Sequence, residues 1–112
     1  MNITTSVTDS GIEVLHIQGN LDSHAAQALE SALWNLIEAG TYRILVDLHD
    51  VDYVSSGGLR TFLAAYKEVH KHEGGDLRLY GANDYVHKIF ELAGFTDFLT
   101  LAPDQAAAAK EL

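Results

Sequence analysis

Asp52-Tyr53-Val54-Ser55-Ser56-Gly57-Gly58-Leu59, running straight into Arg60-Thr61-Phe62-Leu63-Ala64-Ala65-Tyr66, is the stretch whose reading decides the fold. Beyond Gly58, residues Leu59, Phe62, Leu63, Tyr66 and Val69 fall at i, i+3, i+4, i+7 and i+10. That is the spacing of one buried helix face, so a helix is predicted from near Ser56 to about His72. Upstream, Arg43-Ile44-Leu45-Val46-Asp47-Leu48 is a short apolar run rich in branched residues, the pattern of a central strand covered on both faces. The Ser-Ser-Gly-Gly turn therefore joins a core strand to a helix N-terminus. Open backbone N–H groups and the positive end of the helix dipole favour a serine cap there, and equally a phosphate.

Working outward, Ile3, Thr5 and Val7 alternate, Asp9-Ser10-Gly11 carries turn chemistry, and Ile12 to Gln18 resumes as a β-rich run. An antiparallel hairpin follows from that pattern. Asp22 or Ser23 can cap a helix whose face is Ala25, Leu29, Leu33, Leu36 and Ile37 and whose end is Gly40. After the 56–72 helix, Gly74-Gly75 stops the pattern and Leu77-Arg78-Leu79-Tyr80 reads as a strand. A third helix starts at an Asp84 cap, buries Val86, Ile89, Phe90 and Ala93, and stops at Gly94. Phe95, Phe98, Leu99 and Leu101 form an apolar cluster with a short edge strand, and Pro103 opens a last helix through the alanine run. The order ββαβαβα(β)α predicts an α/β fold. Its sheet is mixed but mostly parallel, begins with an antiparallel hairpin, has strand 43–48 at its centre and packs about four helices.

The 112 residues, 47% of them hydrophobic, fit one domain spanning 1–112. A net charge of -9 argues against nucleic acid, whose recognition depends on clustered Lys and Arg. No apolar run approaches the roughly 20 residues of a membrane helix, and Met1 to Thr5 lacks the marks of a signal peptide. A soluble, cytoplasmic domain without direct membrane insertion is expected. The absence of cysteine removes disulfides, thiolate catalysis and Cys-based zinc sites.

Enzymatic readings of the serine turn fail on its neighbours. A hydrolase elbow needs Gly-x-Ser-x-Gly, and Val54 stands where the first glycine belongs. No lysine follows the glycines, so a Walker A loop is absent. His49 and Asp47 are too close in sequence to supply a base and its orienter to this serine. His70 and His72, at i and i+2 on a helix, cannot share an ion, and Asp47, Asp50 and Asp52 lack the further oxygen ligands of a cation site. Neither metal nor cofactor is expected. What remains is a serine that either caps the helix or accepts a phosphoryl group. The second would place about 1.5 to 2 negative charges in the first turn, which the dipole tolerates, so the surface changes while the fold stays. A docked partner losing about 3 kcal/mol would bind roughly 100-fold more weakly.

These residues also match a known family. Gly19-x-Leu21-Asp22, the strand Ile44 to Leu48, Val51-x-Tyr53-Val54-Ser55-Ser56-x-Gly58-Leu59 and Phe90-x-x-Ala93-Gly94-Phe95 occur in the order and spacing of STAS domains of the anti-sigma factor antagonist (anti-anti-sigma factor) type, which the chain resembles along nearly its whole length. The resemblance implies a domain that is not an enzyme but a partner-switching regulator of transcription. It would bind an anti-sigma factor, often a serine kinase, and so free a sigma factor. The kinase reverses this by phosphorylation, and a phosphatase resets the phosphoprotein. By position, Ser56 aligns with the phosphorylated serine, with Ser55 as runner-up, and Asp22 with an aspartate near it. Asp22, Tyr53, Ser55, Ser56, Gly57 and Arg60 would form the partner surface. Ser55 and Gly57 depart from the commonest family pattern, Asp-Ser-Ser-Gly-Leu, towards a frequent Ser-Ser-x-Gly-Leu variant. Alternatives within the resemblance are a scaffold in a stressosome and a regulatory subunit of a lipid or anion transporter. A different class is small-molecule or nucleotide sensing in a surface groove.

Overall fold

The computed structural model describes residues 1–112. Strands β1 (Asn2–Val7) and β2 (Glu13–Gln18) form the antiparallel hairpin, and β3 (Arg43–Asp50), β4 (Asp76–Tyr80) and β5 (Leu101–Ala102) continue the sheet in parallel. The spatial order is β1-β2-β3-β4-β5, so the apolar run at 43–48 lies in the central strand as its composition requires, two residues longer than expected.

Helices α1 (Ala25–Glu38), α2 (Ser56–Val69) and α3 (Asp84–Leu92) each carry the chain one strand further in the same direction. Crossovers of one hand therefore put all three on one face of the sheet. There Leu15, Ile17, Ile44, Val46, Leu48, Leu77 and Leu79 of the strands meet Leu29, Leu33, Phe62, Val69, Val86 and Phe90 of the helices in the main core. Alternate strand residues point the other way. Val14, Leu45 and Tyr80 join Ile12 on the second face, where α4 (Gln105–Ala109) folds back and inserts Ala108.

Several local expectations shift. Along α2 the buried stripe is Gly58, Thr61, Phe62, Ala65 and Val69, rotated from the expected Leu59, Phe62, Leu63, Tyr66 and Val69. The three residues that changed place are half-buried, because α2 also flanks α1 on one side and the loop aromatics on the other: Leu63 borders α1, and Tyr66 packs against Phe98. The helix stops at Val69 rather than His72. Asn83, not Asp84, caps α3, its side chain accepting the Val86 N–H at 2.8 Å. Val86 and Phe90 are buried and Ile89 half-buried, whereas Ala93 is exposed at the helix end. Gly94 takes the left-handed conformation (φ 82°) that a Cβ disfavours, as its position predicted. Asp104 caps α4 through the Ala107 N–H, which leaves Pro103 just outside that helix.

Candidate functional site

The serine turn is assembled by pairing that continues past the ends of β2 and β3. The Gly19 N–H donates to the Asp50 carbonyl, the Leu21 N–H to Tyr53, and the Ser55 N–H returns to Leu21 at 2.7 Å. An isolated parallel bridge joins Leu21 to Val54. Both are fully or almost fully buried, so the segment 19–22 lies fixed against 50–55 and brings Asp22 beside the start of α2. Asp22 then turns the chain into α1: its Oδ1 accepts the Ala25 N–H at 2.8 Å and its carbonyl accepts the Ala26 N–H. Of the two expected caps, Asp22 and not Ser23 makes this bond.

The adjacent serines have different environments. Ser55 is the N-cap of α2: its backbone is extended, its Oγ accepts the Gly58 N–H at 3.2 Å, and only 6% of it is exposed. Its hydroxyl is engaged in closing the helix. Ser56 is the first residue of α2 and is exposed. Because Gly58 and Leu59 already donate to Ser55, the N–H groups of Ser56 and Gly57 remain the open donors of the first turn. An anion on Ser56 would meet those donors and the positive end of a 14-residue helix.

The glycines behind the serines act by size. A Cβ on Gly58 would lie 3.0 Å from Val54 Cγ1, tighter than ordinary contact, and 3.6 Å from Leu21, so a larger residue there would have to displace the buried Val54 side chain. Gly57 is looser, facing Ala26 and Ser23 at ordinary contact distances, and it marks where the first turns of α1 and α2 meet. From that point a groove of about 600 Å³ runs between the two helices, bordered by Ser23, Gln27, Trp34, Gly57, Arg60 and Lys67. Tyr53, 41% exposed, stands before the turn, and Arg60 is exposed one turn beyond it. Around the turn Asp22, Tyr53, Ser56 and Arg60 are thus exposed and Gly57 half-buried, whereas Ser55 is buried.

Trp34 and Lys67 were not among the sequence candidates. Their signal was present, since Arg60 and Lys67 are seven residues apart and share a face of α2, but the partner helix supplying Trp34 could be named only from the packing. Also missed was a polar group on the second face of the sheet, where Asp47 bonds to both His16 and His49. Burial alone would raise the Asp47 pKa, but hydrogen bonds from the His49 backbone, the His49 ring and the His16 ring outweigh it and hold the carboxyl below its ordinary value.

The sequence profile of the STAS domain matches residues 4–108. With its five-stranded mixed sheet and four helices, the chain belongs to the STAS domain family. Within it, the chain is 33% identical over 109 residues to BtrV of Bordetella bronchiseptica, covering 97% of this chain and 92% of that protein. It is 31% identical over 99 residues to the anti-sigma-B factor antagonist of Staphylococcus aureus, covering 88% and 90%. The phosphorylated form of SpoIIAA, a Bacillus cell fate determinant, has the same fold, with a TM-score of 0.71 at 19% identity over 95% of this chain and 96% of that one. No helix is long and apolar enough to cross a membrane.

Proposed function

We propose that this protein is an anti-sigma factor antagonist switched by phosphorylation of Ser56. In the cytoplasm it binds an anti-sigma factor that is a serine kinase, through the surface formed by Asp22, Tyr53, Ser56, Gly57 and Arg60, and thereby releases a sigma factor. The kinase transfers phosphate to Ser56 and a phosphatase removes it. In this role the chain is a substrate and a binding module, not a catalyst. The observation that carries the reading is the division of labour at the turn: Ser55 is spent on the cap while Ser56 is exposed beside open N–H donors. A phosphate there is stabilised by the helix start, so the domain keeps its fold and only its surface changes. Like-charge repulsion and lost desolvated contacts then weaken the complex.

Isothermal titration of a cognate anti-sigma kinase with Ser56→Asp and Ser56→Ala variants tests the charge mechanism. The aspartate variant is expected to bind at least about tenfold more weakly, roughly 1.4 kcal/mol, and the alanine variant like the native chain. Equal affinities for the two variants would rule the mechanism out.

A further inference from the structure

On the sheet face opposite α1, α2 and α3, three strands bring together a serine, a histidine and an aspartate. Thr4 lies across from His16 in the hairpin, so Ser6, two residues on, is a diagonal neighbour on the same face, and the parallel register sets Asp47 directly opposite His16 on the other side. Ser6 Oγ is 2.7 Å from His16 Nε2, and His16 Nδ1 is 2.8 Å from Asp47 Oδ2. Asp47 is 4% exposed, and its second oxygen accepts the His49 N–H at 3.0 Å and pairs with His49 Nδ1 at 2.6 Å.

This is the geometry of a nucleophile, a base and an orienting group, recognised by roles and distances rather than by sequence position. A buried carboxylate accepts only, so a neutral His16 ring carries its proton on Nδ1 and offers the Nε2 lone pair to the Ser6 hydroxyl. The clamp on Oδ1 fixes the carboxylate, and the carboxylate fixes the ring. A free backbone donor lies next in the chain. The Thr8 N–H bonds to Ile12 across the hairpin, and antiparallel alternation then turns the Ser6 N–H inward and the Val7 N–H out along the free edge of β1. The residue after the nucleophile thus presents an unpaired N–H.

We propose that Ser6, His16 and Asp47 form a serine nucleophile site that transfers acyl groups from small, neutral, activated esters. Ser6 Oγ attacks the ester carbonyl carbon and forms the new C–O bond as its proton passes to His16 Nε2. Collapse of the tetrahedral adduct breaks the bond to the leaving alcohol or phenol, which takes that proton. Water, deprotonated by the same nitrogen, then hydrolyses the Ser6 ester, releasing the acid and restoring the hydroxyl. Asp47 remains ionised throughout. The substrate class follows from the surroundings: Ser6 is exposed rather than walled in, and Asp47 with the nearby Asp50 carboxylate, paired to His49 Nε2 at 3.1 Å, disfavours an anionic acyl group.

The test uses the intact chain with p-nitrophenyl acetate and, separately, an alkyl fluorophosphonate, with the modified residue mapped by mass spectrometry. Ser6 is expected to be the modified serine. Ser6→Ala, at an exposed strand position, should abolish the adduct and the enzyme-dependent p-nitrophenol release, and Ser31→Ala, on the exposed side of α1, should leave both unchanged. His16→Gln should slow Ser6 modification at least about tenfold, a conservative share of what a general base contributes. Ser6 modification no faster than that of other exposed serines, or p-nitrophenol release unaltered in Ser6→Ala, would overturn the proposal. The Ser6→Ala comparison decides the matter even if His16→Gln does not fold.

Discussion

Replacing the two serines of the turn one at a time separates the cap from the exposed residue. Ser55→Ala removes the acceptor of the Gly58 N–H, an atom in the buried part of the turn. Loss of an N-cap side chain costs about 0.5 to 2 kcal/mol, and burial of the orphaned donor pushes the cost towards the upper half, near 1.5 kcal/mol. At about 2.1 cal/mol/K per residue, a chain of 112 residues has an unfolding entropy near 0.24 kcal/mol/K, so the midpoint should fall by about 6 °C. Ser56→Ala removes an exposed hydroxyl at the first helical position and should stay within about 0.5 kcal/mol, or some 2 °C. Thermal and urea denaturation followed by circular dichroism and by fluorescence of the single, half-buried Trp34 measure both variants. A Ser56→Ala loss equal to or larger than that of Ser55→Ala would refute the assignment of the cap to Ser55.

Other substitutions probe the frame around the turn. Gly58→Ala gains helix propensity but drives a Cβ to 3.0 Å from the buried Val54, and overpacking of this kind costs about 1 to 3 kcal/mol, so a net loss of about 1 kcal/mol is expected in the same urea titration. Asp22→Ala removes the bond to the Ala25 N–H and should cost about 1 kcal/mol, whereas Asp22→Asn should recover most of it, since both are good caps. The Asp47 cluster makes stability depend on pH in two windows. His49 is raised above its ordinary 6.5 by its hydrogen bond to Asp47 and by that carboxylate's charge, so its contribution is complete below about 6.5 and fades as pH rises through the folded value. Asp47 is lowered, so its contribution is complete above its ordinary 3.8 and is lost as pH falls through the folded value. His49→Ala should therefore be more destabilising near pH 5.5 than near pH 8.5 by thermal melts, and the reverse order would contradict the pairing.

The periodicities of the chain carried most of the fold because each element serves one boundary. Strand 43–48 reads as apolar throughout since both faces of β3 are covered, whereas β1 places Ile3 against the core and leaves its other face exposed. The face of α2 was misjudged by part of a turn because Leu59, Leu63 and Tyr66 are apolar for a different reason: they line the seams beside α1 and the loop aromatics rather than the sheet. Propensity could not tell Ser55 from Ser56, since either serine can cap; the choice rests on which Oγ reaches the Gly58 N–H once Leu21 and Val54 have paired. Ser6, His16 and Asp47 lie on three strands, the last two 31 positions apart, and only the hairpin and parallel registers unite them. The neighbouring His49 was visible as a companion of Asp47, but the histidine that bridges to a serine was not.

The most direct test of the switch is to incubate the protein with a cognate anti-sigma serine kinase and ATP and to map the product by fragmentation mass spectrometry. A single phosphate on Ser56, accompanied by release of the kinase, is the predicted result. Phosphate on Ser55, or a stable complex with Ser56 unmodified after prolonged incubation, would contradict it.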